Sequence, residues 1–361
     1  MKLSGFGLYR YDLPLTEPLV LKGATLHRRE GLLLRLAGED GSEGWGEAAP
    51  LPGFSRETLD EAAGQLLGLS EKMVGREPAG LVAGRDLCVP DISPSARFAV
   101  ELAVRDLETV KTGVSAPNLA QPEAGDVLWV SGLLSGPSGK VIEEAARMRE
   151  AGYRAVKLKV GGRPVEEDAR LVHKLRGILG ESAALRLDAN RAWSFEEASE
   201  FARAVRDTGI EYVEEPLADP GRLRDLAANH GLPVALDESL LDMDPEDLEF
   251  HPYIQAVVLK PTFLGGLSRA EGFADRAASL GMTPVVSSAY ESGIGTAALA
   301  ALAFRTGGGE MPAGLDTYRR LAADVLDPRP DLTAPALTFG EAALPRAPRL
   351  DRLAFVGGTA P

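Results

Sequence analysis

The sequence predicts an α/β fold in which a barrel of alternating strands and helices follows a smaller α+β domain. Three observations carry this reading. At 361 residues and 45% hydrophobic content the chain can bury a large core, so disorder is excluded. Five short apolar runs, AVKLKV (155–160), ALRLDAN (184–190), IEYVEEP (210–216), VALDES (234–239) and AVVLKP (256–261), each end in charged residues. The steps from Lys157 to Asp188, Glu214, Asp237 and Lys260 are 31, 26, 23 and 23 residues. A strand–helix–strand unit takes roughly 30 residues. Polar groups recurring at that interval at the C-terminal ends of strands mark the catalytic face of a barrel.

The elements follow in order. Segment 26–47 alternates like an antiparallel hairpin, with EDGSEG as its turn. Ser55 is expected to cap a helix through DEAAGQLL, with Glu57 in its first turn, and a second helix fits 95–110. The Pro/Gly/Ala-rich stretch 116–126 reads as a boundary. Residues 1–125 are therefore expected to form the capping domain, 126–319 the barrel, and 320–361 a tail returning to the cap through strand-like LAFVG (353–357). The first barrel strand is expected at 127–134, and the helix after it at 141–152, closed by Gly152. Further helices fit 165–179, 195–208, 221–230, 268–280 and 291–305, and later strands fit 283–291 and 313–318.

Composition excludes several functions. The net charge is −14, from 53 acidic against 39 basic residues, which disfavours nucleic acid and anionic membranes as partners. The single cysteine, Cys88, allows neither an internal disulfide nor a cysteine-based zinc site, and reads as a small buried residue. The N-terminus has no uninterrupted apolar run, and AALAALAF (297–304) falls far short of the roughly 20 residues that span a bilayer. A cytoplasmic protein acting on a small molecule is expected, and its oligomeric state is not written in the sequence.

Side chains alternate along a strand, so Lys157 and Lys159 point the same way, into the barrel. Two ammonium groups about 4 Å apart repel by about 4 kcal/mol at an effective dielectric near 20, which is expected to lower a lysine pKa and make a usable base. A KxK pair alone is most often a solvated surface pair; its place between apolar residues of a barrel strand reverses that. Asp188, Glu214 and Asp237 end consecutive strands about 4.8 Å apart and converge. An oxygen-only set without Cys or His suits a hard ion, Mg²⁺, with Mn²⁺ as a substitute. Lys260 faces Lys159 across the barrel mouth, where a cation balances an enolate or packs on a π-face. Ser287, Ser288 and Glu291 reach the same rim, where they bind a substrate carboxylate or cap a helix.

The motifs KLKVGG, DAN, EEP, DES, LKP and SSAYESGIG together resemble the muconate-lactonizing-type subgroup of the enolase superfamily. Within it, GWGEAAPLPGFSRET, LKPTFLGG and GLDTY are similar to the o-succinylbenzoate synthase family. The resemblance implies a modified (β/α)7β TIM barrel with an N-terminal capping domain. It implies Asp188, Glu214 and Asp237 as metal ligands, Lys159 as acid/base, Lys260 as the cation beside the intermediate, and Lys157 as an assisting lysine. Asn190, Glu215 and Glu238 would stand behind the ligands, and Pro52, Gly53 and Phe54 would belong to a capping loop over the substrate. Tyr290 departs from the aliphatic residue expected there. The activity implied is metal-dependent syn dehydration of 2-succinyl-6-hydroxy-2,4-cyclohexadiene-1-carboxylate through an enediolate, in menaquinone biosynthesis. The alternatives are an N-acylamino-acid racemase or dipeptide epimerase of the same subgroup, or an inactive barrel kept for binding.

Overall fold

The computed structural model describes residues 2–21, 23–78, 92–112, 125–332, 335–339 and 347–359. Cys88 and most of the expected boundary at 116–126 lie outside them.

The cap is built on a four-stranded antiparallel sheet in the order β13-β1-β2-β3. In it β1 (Leu3–Leu21) and β2 (Ala24–Gly38) form a long ribbon, and β3 (Glu43–Ala48) adds the expected hairpin. That hairpin closes where Gly38 N–H donates to Ser42 O at 2.8 Å. The tail strand β13 (Ala354–Gly358) pairs with β1, Tyr9 opposite Phe355. Helix Leu59–Met73 is capped three residues later than expected: Thr58, not Ser55, is the N-cap. A capping box needs Glu at the third helical position, and Glu61 supplies it to Thr58. Ser55 Oγ instead accepts Leu51 N–H at 2.9 Å. Helix Pro94–Thr112 lies across β3, so closely that a Cβ on Gly46 would sit 1.9 Å from Ala99 O.

The barrel is a seven-stranded parallel sheet in chain order, from β5 to β11. Its strands are β5 (Gly132–Leu134), β6 (Ala155–Lys159), β7 (Ala184–Asp188), β8 (Tyr212–Glu214), β9 (Val234–Leu236), β10 (Ile254–Leu259) and β11 (Thr283–Val286). Two expectations need correction. The run 127–134 is not one strand: β4 (Val127–Trp129) leaves the barrel to pair antiparallel with β12 (Ala336–Thr338), and only β5 joins the ring. Apolar content alone does not distinguish a strand paired in the barrel from one paired with the tail. The eighth strand at 313–318 is reduced to the parallel bridges Val130–Ala313 and Ser287–Gly314, which close the ring. Beyond them Asp316–Arg320 winds into a 3₁₀ turn, because Asp316 turns back to accept Leu133 N–H at 2.8 Å.

The helices lie near their expected positions: Ser138–Ala151, Val165–Leu179, Phe195–Val205, Leu223–His230, Leu267–Ser279 and Gly293–Gly307. Gly152 closes the first in the left-handed conformation, at φ 86°. Among the described residues no helix is long and apolar enough to cross a membrane.

Candidate active site at the barrel mouth

Strand register assembles the charges. Lys159 lies opposite Asp188, and Asp188 opposite Glu214. Glu214 is opposite Ala235, so Asp237 stands two residues further along on the same face. All three carboxylates are buried. The three lysines are woven among them. Lys157 Nζ donates to Glu214 at 3.1 Å and lies 3.3 Å from Asp188. Lys159 Nζ donates to Asp188 at 2.6 Å and to Asn190 Oδ1 at 2.5 Å. Lys260 Nζ donates to Asp237 and lies 3.9 Å from Glu214.

These contacts overturn the expectation that mutual repulsion depresses the pKa of Lys157. Burial works against its ammonium, but the adjacent Glu214 and Asp188 outweigh burial and hold its pKa well above the ordinary lysine value. Lys260 is raised in the same way, against burial, by Asp237 and Glu214. Asp188 is lowered despite its burial, because Lys159 and Lys157 favour its charge. Glu214 is pushed up to about 8 by burial and by the charge of Asp188. Burial also raises Asp237 and Glu238.

The supporting residues of the sequence reading fall around this cluster. Asn190 bridges Lys159 to Glu238, donating from Nδ2 to the Glu238 carboxylate at 3.0 Å. Glu215, fully buried, accepts from Asp237 N–H at 3.0 Å, Ser239 N–H at 2.7 Å and Arg191 Nε at 3.0 Å, and so fixes the turn that carries Asp237. Among the described residues the non-glycine positions with positive φ are Asn190, Arg191, Glu215 and Tyr290, all in the segments that follow barrel strands. Each such residue stores backbone strain, of order 1–3 kcal/mol, that the surroundings must hold in place.

A cavity of about 1020 Å³ opens above the charges, bounded by Lys157, Lys159, Lys260, Ser287 and Ser288 of the barrel and by Leu19, Leu51 and Phe54 of the cap. Phe54 stacks on Phe263, with centroids 6.3 Å apart and planes within 5°. Three expected substrate contacts are not on this wall. Pro52 and Gly53 are exposed, because the turn closed by Phe54 N–H on Leu51 O puts them outside. Glu291 is buried behind the wall, accepting Thr262 Oγ1 and Ala289 N–H, each at 2.6 Å. The sequence reading missed Thr317, which lines the cavity and shares a hydrogen bond with Ser288 Oγ. It also missed Arg29, which is 2% exposed. The signal for Arg29 was the alternation of β2, which sets it on the same face as Leu33.

Among the described residues no three His, Cys, Asp or Glu side chains stand in metal-ligating geometry, since the carboxylates here turn to the lysines. The donor set nevertheless fits a hard dication. It is oxygen-only, buried and on adjacent strand ends.

Residues 140–348 match the family described as Enolase C-terminal domain-like, and residues 4–107 match the MenC N-terminal domain. An o-succinylbenzoate synthase from Pectobacterium atrosepticum is 34% identical over 333 residues, covering 91% of this chain and 95% of that one. The chain belongs to the o-succinylbenzoate synthase family. It is an enzyme of the enolase superfamily, with the barrel and N-terminal cap of that fold. Two solved structures share the architecture at 24% identity. One is a dipeptide epimerase from Enterococcus faecalis complexed with Mg and L-Leu-L-Tyr (TM-score 0.85, 95% of this chain and 98% of that one). The other is a muconate lactonizing enzyme from Pseudomonas fluorescens complexed with muconolactone (TM-score 0.85, 97% and 98%).

Proposed function

We propose that this enzyme is a hydro-lyase that dehydrates 2-succinyl-6-hydroxy-2,4-cyclohexadiene-1-carboxylate to o-succinylbenzoate, in the cytoplasm, as a step of menaquinone biosynthesis. The observation that carries the reading is the likeness to o-succinylbenzoate synthases over more than nine-tenths of the chain, joined to the placement of Lys159 and Lys260 beside three buried carboxylates at one cavity mouth. Asp188, Glu214 and Asp237 would hold Mg²⁺, or Mn²⁺ in its place, which when bound supplies positive charge to the substrate carboxylate as it becomes more negative.

Lys159 is the acid/base. Of the three lysines its side chain is the most exposed, at 35%, against 14% for Lys157 and 10% for Lys260. As a free amine it takes the proton from the carbon bearing the carboxylate. The electron pair left there forms an enediolate and then the new ring double bond as the C6 hydroxyl departs. The Lys159 ammonium returns its proton to that hydroxyl, so water leaves, the base is regenerated and the ring becomes aromatic. Lys260, held by Asp237, remains an ammonium beside the intermediate. Lys157 stays paired with Glu214 and sets the field around Lys159.

A racemase reading uses the same two lysines, with Lys260 exchanging a proton. Against the dipeptide version, GLDTY offers a single acidic residue, and Asp316 already accepts from Leu133 N–H and Arg319 Nε, both at 2.8 Å. The test is a product assay with purified enzyme and Mg²⁺. Aromatic absorbance is expected to grow from the cyclohexadiene, to stop with EDTA and to return with Mg²⁺. N-succinyl amino acids are expected to racemise little. Efficient racemisation with negligible o-succinylbenzoate would reverse the assignment.

A further inference from the structure

The cavity wall formed by Ser287–Tyr290 has no regular structure of its own. Strand β11 ends at Val286 and the next helix starts at Gly293, with Tyr290 between them at φ 64°. A bulky residue in the left-handed region persists only where its surroundings hold it. Two buried ionisable side chains of the cap take hold of the chain here, one at Ala289 and Tyr290 and one just beyond, at Ser292 and Gly295.

Arg29 of β2 holds Ala289 and Tyr290. Its Nε donates to Tyr290 O at 3.1 Å and Nη2 donates to Ala289 O at 3.2 Å. The same guanidinium donates to Pro50 O at 2.8 Å and to Ala49 O, where the chain enters the turn that presents Leu51 and Phe54 to the cavity. A fifth bond goes to Glu30 O at 2.9 Å. All five acceptors are backbone carbonyls, so this buried cation is spent on fixing chain paths. Leu51 and Tyr290, whose paths it joins, pack together with Leu19 in one small apolar cluster over the site.

Glu47 of β3 holds the start of the helix that follows. Its Oε1 accepts Ser292 N–H at 2.7 Å, and its Oε2 accepts Ser292 Oγ and Gly295 N–H, each at 2.7 Å. Tyr11 OH donates to the same carboxylate at 2.5 Å. The donors Ser292 and Gly295 open the helix Gly293–Gly307, where a negative charge is favoured. There is no slack here, since a Cβ on Gly295 would sit 2.8 Å from Glu47 Oε2.

We infer that Arg29 and Glu47 are positioning residues of the active site: acting from the cap, they hold segment 287–295 in register with loop 49–54, so that Ser287, Ser288 and Tyr290 meet Leu51 and Phe54 around one substrate. Neither side chain touches the cavity. The effect on substrate binding runs through the backbone they grip. The inference rests on the proposed dehydratase reading for its kinetic test, but not for its structural one.

The experiment compares wild type with Arg29→Lys, Arg29→Met and Glu47→Gln, each measured for steady-state turnover of the cyclohexadiene and for amide hydrogen exchange. Arg29→Met is expected to raise KM about tenfold or more with a smaller loss of kcat, and to speed exchange in 287–295 and 49–55 while the strands 155–159 and 184–188 stay protected. Arg29→Lys, which keeps the charge and fewer donors, should fall between the two. Glu47→Gln should speed exchange chiefly at 292–296. It keeps one acceptor oxygen and the size of the side chain, so it reports on the idea even if Arg29→Met does not fold. Unchanged KM and unchanged local exchange would overturn the inference. So would exchange that rises uniformly over the barrel with KM unmoved, the mark of a merely structural role. If wild type itself forms no o-succinylbenzoate, the dehydratase reading fails while the local exchange pattern still decides the clamp.

Discussion

Lys159 shows how much one residue's chemistry depends on its neighbours. Its ammonium sits between Asp188 at 2.6 Å and Asn190 at 2.5 Å, on the cavity side of the more buried Lys157. Replacing it by alanine removes the proton acceptor but leaves Lys157 3.3 Å from Asp188, so the buried carboxylate keeps a counter-charge. Lys159→Ala should therefore lower kcat by about 10³-fold while circular dichroism and melting stay close to wild type. Lys159→Arg should be nearly as inactive, because a guanidinium does not release its proton near neutrality. Substantial turnover by Lys159→Arg would assign the base elsewhere. At Lys260 the outcome should differ: Lys260→Arg retains the cation that a one-base elimination needs, so measurable dehydration is expected, whereas a two-base racemase would lose all turnover. At this scale much of the site was legible in the sequence, because a charged residue ending an apolar β-branched run has few places to go except a barrel mouth. Arg29 was legible only as an inward-facing residue of β2, not in its role. Its partners are backbone carbonyls of segments more than 250 residues apart from it on one side, and carbonyls carry no sequence signature.

At the scale of elements, the chain reads well where one element packs on many neighbours in a regular way. Helix Val165–Leu179 follows its period without interruption, and Gly152 ends its helix as expected. The errors fall where two partners compete for one segment. The run 127–134 is apolar enough for a barrel strand throughout, yet the tail claims Val127–Trp129. Glycine in β3 is informative for the opposite reason, since its role is set by what lies above it. Gly46 faces the backbone of helix Pro94–Thr112, and an added Cβ would approach Ala99 O at 1.9 Å and Ala103 N at 2.8 Å. A helix backbone cannot rotate away as a side chain can, so the helix must lift from the sheet. Gly46→Ala is expected to cost on the order of 2 kcal/mol and to lower the melting temperature by several degrees. Equal melting of mutant and wild type would mean that the helix rides freely on β3.

Across the whole molecule, cap and barrel meet through buried charge as well as apolar surface, and this makes stability depend on pH. Burial pushes Glu47 up to about 7, overcoming its hydrogen bonds from Tyr11 and Ser292, with the nearby charge of Glu291 adding to the rise. Glu291 is itself raised by burial, against its hydrogen bond from Thr262 and, more weakly, the charge of Arg29. The folded protein therefore holds the Glu47 proton more tightly than the unfolded chain, where a glutamate titrates near its ordinary 4.5. The native state binds more protons than the unfolded state between those two values, so stability falls as pH rises through that window. Glu47's contribution is whole below about 4.5 and is lost as pH passes about 7. Glu47→Gln removes this titration while Glu291 keeps its own. Unfolding in urea, measured between about pH 5 and about pH 8, should show wild type losing stability more steeply than Glu47→Gln, the two lying closest at the acid end, where the wild-type carboxyl is protonated, and separating toward the alkaline end as it ionises. Parallel curves would place the ionisation of Glu47 outside that range and leave its hydrogen bonds to Ser292 and Gly295 as a charge-independent cap on the helix they open.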